Sequence, residues 1–275
     1  MRIILFLLAS VVANLTPFAQ SNIIFTSPRS IKRSNTIDTT RYIVQYLYTH
    51  QFGGKKNKAE QDIVLLEIGR NVAKSYSHNL YQCDSLADVW EKEGRQVRQA
   101  YQGYAQREVL YTSLQDKTIT TIYRSFSDAP TLLFREDIPI ISWTIEKDKK
   151  QLLGYDCIKA TAHYRGRNYV AWFTPNIPSS LGPWKFSNLP GLILDIYDDK
   201  GEIRFTAEGI NNHQRPISVW SWQHIQTTRS KARQMIERMF KSPTRFLRSM
   251  GIQLFTPNGP VGDNASCTYN PIELE

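Results

Sequence analysis

The sequence predicts an α+β fold, mainly antiparallel β, in which helices pack against a curved sheet or partly open barrel. One observation is that apolar and polar residues alternate in short segments between residues 108 and 205, with turn residues at intervals of roughly 10 to 20 residues, as in β-hairpins. Another is that apolar residues recur at helical spacing around residues 90 and 235. The 275 residues are 41% hydrophobic and 12% aromatic, which suffices for a core and excludes disorder throughout the chain.

The chain begins with the features of a secretory signal peptide over residues 1–20. Arg2 precedes an apolar run over residues 3–13, which is shorter than the roughly 20 residues that a membrane-spanning helix needs. The small residue Ala19 lies just before the expected cleavage point near Ser21. We therefore expect a periplasmic or secreted protein, and a retained membrane anchor is the alternative.

After the leader, the sequence predicts two further parts. Residues 21–36 are polar and predict an irregular N-terminal segment, and residues 37–275 predict a single domain. Branched and aromatic residues predict strands over residues 41–49, 63–68 and 72–76.

Two regions of the chain predict helices. The segment Ser85-Leu86-Ala87-Asp88 has the pattern of a capping box, in which a hydroxyl and a carboxylate satisfy free amides at a helix start, and apolar spacing continues to Tyr104. Near the C-terminus, Ser242 and Pro243 predict the start of a short helix that ends at Gly251. Before it, an amphipathic helix is predicted by Ala232, Met235, Ile236, Met239 and Phe240.

The strands between residues 108 and 205 are separated by predicted turns. In the last hairpin, Ile203 and Phe205 alternate with polar residues, which predicts one buried and one solvated face. By the same alternation, Cys157 is expected on the more polar face of its strand. The predicted turns are Asp116-Lys117, Ser127-Asp128-Ala129-Pro130, Lys147-Asp148-Lys149-Lys150, Arg165-Gly166-Arg167-Asn168 and Asp198-Asp199-Lys200-Gly201.

The segment Asn188-Leu189-Pro190-Gly191-Leu192-Ile193-Leu194 resembles the motif that names the GLPGLI family, exported proteins of Bacteroidetes. The family's opening glycine is Asn188 here, and asparagine tolerates left-handed backbone angles better than most residues. Other stretches that look similar to family members are Tyr155-Asp156-Cys157-Ile158-Lys159-Ala160, Ala171-Trp172-Phe173-Thr174, Gly182-Pro183-Trp184-Lys185-Phe186, residues 62–77 and Asn270-Pro271-Ile272-Glu273-Leu274.

The resemblance implies a secreted or periplasmic protein, because family members are exported and many are encoded near TonB-dependent outer-membrane receptors. It suggests a role in envelope transport or cargo handling, with such a receptor as a partner. Because the family has no established biochemical activity, the resemblance brings no catalytic residue to this sequence.

The motif also has a direct physical interpretation. In Leu189-Pro190-Gly191-Leu192, proline presets the second position of a type II turn and glycine supplies the positive φ at the third. In one interpretation the turn is structural, a sharp corner that leads into a strand of the core. The other is functional, because exposed aromatic residues around the turn would form a ligand-binding rim. The candidate ligand-binding residues are Trp172, Trp184, Phe186, Leu189, Pro190 and Gly191.

The sequence lacks three familiar catalytic templates, G-x-S-x-G, H-E-x-x-H and G-x-G-x-x-G. No two of its five histidines have the helical spacing of metal ligands, so we expect neither a metal nor a cofactor. We therefore predict a non-enzymatic periplasmic binding or carrier protein that serves an outer-membrane receptor. The alternative is an envelope hydrolase with a non-standard active site, which polar side chains converging in a cleft would favour.

The three cysteines leave the covalent state of the chain open. In an oxidising compartment, one disulfide among Cys83, Cys157 and Cys267 is compatible with the sequence, and so are three buried thiols. No two of them have C-x-x-C spacing, which excludes a zinc ribbon.

Basic residues outnumber acidic ones, 34 to 25, and concentrate near the C-terminus. They predict either a surface for anionic lipid or lipopolysaccharide, or the solvated face of a helix packed on the sheet. We expect no nucleic acid partner, because no recognition motif accompanies the charge. The basic residues are Arg229, Lys231, Arg233, Arg238, Lys241, Arg245 and Arg248.

Overall fold

A computed structural model of the protein describes residues 26–52, 59–95, 101, 103–253, 255–256, 259–260, 262 and 266–275. The predicted signal peptide lies outside these residues, so its removal stays a prediction. Within the described ranges, no helix is both long enough and apolar enough to cross a membrane.

Strands are the commonest element of the described residues, which also form three helices. The helices are α1 (His78–Lys92), α2 (Arg229–Lys241) and α3 (Pro243–Ser249). The strands are β1 (Ser34–Thr39), β2 (Tyr42–His50), β3 (Glu60–Ile68), β4 (Val72–Ser77), β5 (Glu108–Ser113), β6 (Thr118–Tyr123), β7 (Thr131–Asp137), β8 (Thr144–Leu152), β9 (Tyr155–Tyr164), β10 (Arg167–Thr174), β11 (Leu192–Asp198), β12 (Ile203–Asn211), β13 (Pro216–Trp220), β14 (His224–Gln226), β15 (Phe255–Thr256) and β16 (Gly259–Pro260).

Twelve of these strands form one large sheet in the order β14-β7-β6-β5-β4-β3-β2-β12-β11-β10-β9-β8. Neighbouring strands run antiparallel, except that β14 pairs in parallel with β7. β1 and β13 form a separate two-stranded ribbon. The predicted class, α+β and mainly antiparallel β, is confirmed, and the strand order is open, with β14 and β8 at the two edges.

The two margins of this sheet are close in space. β7 lies next to one edge, and the turn between β9 and β10 lies near the other. Arg165 in that turn nevertheless donates through Nη2 to Oε2 of Glu136 in β7, at 2.8 Å. The same Glu136 accepts a second hydrogen bond at 2.6 Å from Nζ of Lys185, in the loop before β11.

The central strands of the sheet are buried on both faces. In β3, Val64 and Leu66 point into the main core, whereas Leu65 points to the opposite face and packs in a cluster with Trp220 of β13. A third apolar cluster joins α2 to β7 and contains Ile236. The main core therefore lies on one face of the sheet, and the β1–β13 ribbon covers the opposite face.

Local patterns located most elements correctly, and one predicted turn is wrong. The three N-terminal strands predicted from branched and aromatic residues correspond to β2, β3 and β4. The predicted turn over residues 147–150 lies inside β8, and the chain reverses at Leu153 and Gly154, which have φ of +52° and +79°. Charged residues suit both a turn and an exposed edge strand, which is why the pattern misled.

Helix α1 begins eight residues before the predicted capping box. Ser77 is its N-cap, and the Ser77 hydroxyl accepts a hydrogen bond from the Leu80 amide at 3.1 Å. Ser85 therefore lies within the helix. The helix ends at Lys92, so the predicted continuation to Tyr104 is wrong, and Gly94 takes a left-handed φ of +73° just beyond it.

The N-terminal segment packs against α1. The Arg29 amide donates to Asp84 at 2.7 Å, and the Ile31 amide donates to Asp88 at 2.9 Å. Asp88 therefore satisfies an amide of another segment and not one at its own helix start. β1 begins at Ser34, inside the stretch that was predicted to be irregular.

The C-terminal helices match their predictions, and the cysteines are thiols. α2 buries Ala232, Ile236, Met239 and Phe240, the face that the apolar spacing indicated.

No disulfide joins Cys83, Cys157 and Cys267, all of which lie in the described ranges. Cys157 is fully buried in the main core, so its predicted place on a polar face is wrong; β8 loses regular register beside it, between Ile145 and Lys149.

Candidate functional site

A partly open cavity of about 100 Å³ lies where the large sheet, α2 and the C-terminal residues meet. Its walls come from β2, the residues leading into β5, the loop before β11, one face of α2 and residues 269–273. Aromatic and charged side chains from distant parts of the chain thus face one space. Most ligand sites have this composition, a largely apolar wall with a few polar groups placed in it.

Hydrogen-bonded rings form the wall of the cavity along β2. The Tyr104 hydroxyl lies 2.6 Å from Nδ1 of His50 and donates to the Tyr48 hydroxyl at 3.2 Å. Tyr48 in turn stacks on Phe205 of β12, with ring centroids 4.2 Å apart. Burial, helped by the charge of Arg167, lowers the pKa of His50 to about 3. The His50 ring is therefore neutral near neutral pH.

Glu108, at the start of β5, contributes a carboxyl group to the cavity. Its Oε2 accepts hydrogen bonds from Nε1 of Trp184 at 2.6 Å and from Nε2 of Gln106 at 3.1 Å. Burial raises the pKa of Glu108 above its ordinary value. The charge of Lys185 opposes that increase but does not cancel it, so Glu108 keeps its proton to a higher pH than an ordinary glutamate does.

Glu273, near the C-terminus, has the opposite charge preference in the same cavity. It accepts hydrogen bonds from Nζ of Lys185 at 2.9 Å, from Nη2 of Arg229 at 2.7 Å and from Nη1 of Arg165. Burial alone would raise the pKa of Glu273, but Lys185 and Arg165 outweigh it and lower the pKa to about 2. The pKa values of two carboxyl groups that line one cavity are thus moved in opposite directions.

Two further cations face the cavity, and they differ in how many carboxylates they contact. The Lys185 side chain is about 1% exposed and is held between Glu136 and Glu273. Arg233 of α2 donates to the backbone oxygen of Glu273 at 3.3 Å. Within the described residues, Arg233 makes no ion pair with a carboxylate.

The structure brings one of the six predicted ligand-binding residues to this cavity. Trp184 lines the cavity and donates to Glu108, with a left-handed φ of +55°. Phe186 lines a second space of only about 10 Å³. Trp172 lies half-buried beneath the Lys150 ammonium group, whose Nζ is 4.4 Å from the ring centroid. The other three predicted ligand-binding residues also lie outside the cavity lining. Leu189 is buried in the main core, Pro190 is exposed, and Gly191 is buried.

The turn at Pro190 differs from the predicted type II turn. The Gly191 amide donates to the Leu189 carbonyl at 2.9 Å, two residues back, which defines a γ-turn with Pro190 at its centre. The predicted positive φ at Gly191 is confirmed, at +156°, and Asn188 also takes a positive φ, of +74°. Glycine is required at 191 for a second reason as well, because a Cβ there would collide with the Thr174 backbone oxygen.

Sequence reasoning missed Glu108, Lys185, Arg233 and Glu273 as a set. They belong to segments far apart in the chain, so no local spacing connects them. One signal was present, since Lys185 and Glu273 both lie in stretches that resemble the GLPGLI family, and the structure joins them by a hydrogen bond. In the described part of the chain, no group of three or more His, Cys, Asp or Glu side chains is placed to hold a metal ion.

Comparisons with known proteins give limited information on function. A family model described as "Protein of unknown function (Porph_ging)" matches residues 165–195, which include the β9–β10 turn and the loop that carries Trp184 and Lys185. No curated protein matches the chain significantly. Two solved structures of PNGF-II, in space groups P21 and C2, are similar to 73% of this chain, with 12% and 13% sequence identity and TM-scores of 0.48 and 0.47. The chain spans about a third (33%) of the length of each.

Proposed function

We propose that the protein is an exported, non-enzymatic binding or carrier protein of the cell envelope, whose ligand occupies the cavity beside Trp184. The observation that carries the proposal is the cavity itself, which combines aromatic walls with a small number of charged groups. Trp184 lies at the centre of this arrangement, because it donates to the Glu108 carboxyl group and belongs to the loop that also supplies Lys185.

The proposal also includes the protein's family and its partner. We propose a GLPGLI-type protein that serves a TonB-dependent outer-membrane receptor in the periplasm. The match to a family of unknown function over residues 165–195 supports a relationship around the motif, and it carries no activity.

In this proposal the large sheet curves into a partly open barrel around the cavity. Two features support the curvature. β2 and β7 are separated by four strands in the sheet, yet both contribute side chains to the cavity wall. The ion pair between Arg165 and Glu136 also joins strands near opposite edges.

We further propose that the outer surface of α2 and α3 binds anionic lipid or lipopolysaccharide. Arg229 and Arg233 face the cavity, so they do not belong to this surface. The side chains that are exposed are Lys231, Arg238, Lys241, Arg245 and Arg248. Such a cluster attracts anionic membranes through electrostatics that salt weakens. Binding to anionic but not zwitterionic vesicles, lost in high salt, is the expected result.

Native mass spectrometry of residues 21–275, purified from the periplasm of the original host, tests the carrier role. We expect a reproducible added mass whose fragmentation identifies the ligand class. The variant Trp184→Phe should reduce the adduct, because phenylalanine cannot donate to Glu108. Trp172→Phe is the matched control, and the adduct should persist because Trp172 lies outside the cavity lining.

The results of this experiment separate three interpretations. Equal loss of the adduct in both tryptophan variants would support the wider aromatic rim that the sequence predicted. An adduct unaffected by Trp184→Phe would place the ligand elsewhere. A bare mass in every preparation would contradict the carrier role.

A second candidate function, an envelope hydrolase, is favoured by one observation. Glu108 and Glu273 line one cavity with pKa values moved in opposite directions, an arrangement common to acid–base catalysts. However, Lys185, Arg165 and Arg229 neutralise Glu273, which weakens it as a base or nucleophile. Hydrolysis of chromogenic esters or glycosides that disappears in Glu108→Gln would favour the hydrolase.

A further inference from the structure

The cavity has more cationic than anionic side chains in its wall. The cations are Lys185, Arg229, Arg233 and Arg107, and the carboxyl groups are Glu108 and Glu273. Glu136 adds one negative charge just outside the lining, where it bonds Lys185. The four cations outnumber the three carboxyl groups, and burial disfavours the charged form of Glu108, so the space between these groups attracts an anion.

Arg233 is the cation best placed to receive that anion. Arg229 is already paired with Glu273 through both Nε, at 3.1 Å, and Nη2, at 2.7 Å. Arg233, one turn further along α2, bonds only a neutral backbone oxygen of Glu273 among the described contacts. Its guanidinium therefore retains donors for a ligand, and guanidinium groups match the geometry of carboxylates.

Glu108 lines the same space and has one carboxyl oxygen, Oε1, to which no described hydrogen bond goes. Both described hydrogen bonds to this carboxyl come from N–H donors and go to Oε2. Oε2 therefore uses its lone pairs as an acceptor, and the proton of the neutral acid belongs on Oε1. Because Glu108 lines the cavity, its protonated form has an Oε1 hydroxyl that can donate to a ligand there.

We infer that the cavity binds a small organic carboxylate, which accepts hydrogen bonds from the Oε1 hydroxyl of Glu108 and from the Arg233 guanidinium. The inference rests on the proposed function and names its ligand class. A carboxylate offers only acceptors, so it matches two side chains that can each donate and that make no described ion pair with one another. The aromatic side chains of Tyr48 and Phe134 suit a short apolar tail, and a cavity of about 100 Å³ limits its length.

Isothermal titration with propionate and with propionamide, at a pH where Glu108 is protonated, tests this inference. We expect propionate to bind and the neutral amide to bind at least about tenfold more weakly, because a charge-assisted pair is lost. Arg233→Gln should weaken propionate binding by about tenfold or more for the same reason. Arg70→Gln, at an exposed position between β3 and β4 and outside the cavity lining, is the matched control and should leave the affinity unchanged.

Substitutions of Glu108 distinguish a neutral donor from a charged acceptor. In Glu108→Gln the amide oxygen can accept from Trp184 while the NH₂ group donates into the cavity, so propionate affinity should stay within about threefold of wild type. Glu108→Ala removes the donor and should weaken binding by about tenfold or more. Wild-type binding should fall as pH rises through the raised pKa of Glu108, and Glu108→Gln should lose this dependence.

Several outcomes would overturn the inference. Equal binding of propionate and propionamide would show that charge is not recognised, and preferential binding of inorganic phosphate would assign the site to another anion. Equal losses in Glu108→Gln and Glu108→Ala would show that a donor at this position does not hold the ligand, and tighter binding in both would show that Glu108 is ionised and repels the carboxylate. Unfolding curves of each variant separate lost binding from lost folding.

The failure of this inference is distinguishable from the failure of the proposed function. A neutral native adduct that requires Trp184, together with no propionate binding, would preserve the carrier role and refute the carboxylate ligand. The absence of both the adduct and propionate binding would refute both.

Discussion

Single side chains in this protein take their charge state from the neighbours that burial brings to them. Glu108 and Glu273 line the same cavity, but burial dominates at Glu108, whereas Lys185 and Arg165 dominate at Glu273. Desolvation penalises a charge, and a nearby opposite charge restores it. Two residues of one type can therefore act as a donor and as an anchor in a single site.

Gly191 provides a test of a close backbone approach at this scale. A Cβ at this position would collide with the Thr174 carbonyl oxygen, and neither backbone segment can move without disturbing the core. Gly191→Ala should therefore lower the free energy of unfolding by about 1 kcal/mol or more, measured by denaturant titration. Gly209→Ala is the control, because a Cβ there meets nothing within 4 Å. Equal stability of the two variants would contradict the collision argument.

At the scale of elements, helix α1 illustrates how tertiary contacts decide where a helix begins. Two candidate caps lie in the sequence, and the structure uses Ser77, directly after β4, in place of Ser85. The Ser77 hydroxyl also donates to Asp62 at 3.0 Å, which ties the helix start to β3. The carboxylates of Asp84 and Asp88 then remain available for the N-terminal segment.

Alanine substitutions at the two serines distinguish the real cap from the apparent one. Ser77→Ala should destabilise the protein by about 1 to 2 kcal/mol, because the Leu80 amide and Asp62 each lose a hydrogen bond. Ser85→Ala should change stability by less than about 0.5 kcal/mol, since alanine suits a helix interior. Thermal unfolding followed by circular dichroism measures both, and a larger loss at Ser85 would refute the assigned helix start.

For the whole molecule, the C-terminal residues 270–275 act as a strap across the open sheet. Arg167 of β10 donates to the side chain of Asn270 at 2.6 Å and to the Pro271 backbone at 2.9 Å. Glu273 then connects Lys185, Arg229 of α2 and the β9–β10 turn. The strap therefore links the sheet, the helix and the cavity wall mainly through side chains, with one backbone hydrogen bond from the Leu274 amide to the Arg165 carbonyl at 3.0 Å.

Acid stability should report on this strap. The pKa of Glu273 is lowered from 4.5 to about 2, so the folded state keeps this carboxylate ionised where the unfolded chain binds a proton. Its stabilising contribution is fully present above pH about 4.5 and is lost as pH falls towards about 2, by roughly 3 kcal/mol in total. Glu273→Gln should remove this part of the acid dependence in urea titrations between these pH values.

The control for the acid experiment is Glu237→Gln, which changes an exposed carboxylate on α2. This variant should keep the wild-type acid dependence. If Glu273→Gln and wild type lose stability in parallel as pH falls, the ionised Glu273 side chain does not hold the strap in place.

Periodicity predicted those parts of the fold that depend on neighbouring residues in the chain. The strands β2, β3 and β4 and the apolar face of α2 follow from alternation and helical spacing, because each element buries one face whatever its partners are. The prediction erred where a local pattern has two physical solutions. The charged segment at 147–150 suits an edge strand as well as a turn, and which one forms depends on its pairing with β9.

By itself, the sequence determined the fold class, most elements and the importance of the segment around Gly191, because these depend on local burial and local backbone geometry. Only the tertiary structure decided the cavity and its charge states. Glu108, Lys185 and Glu273 meet because the sheet brings distant segments together, and desolvation and Coulomb interactions act through space and not along the chain.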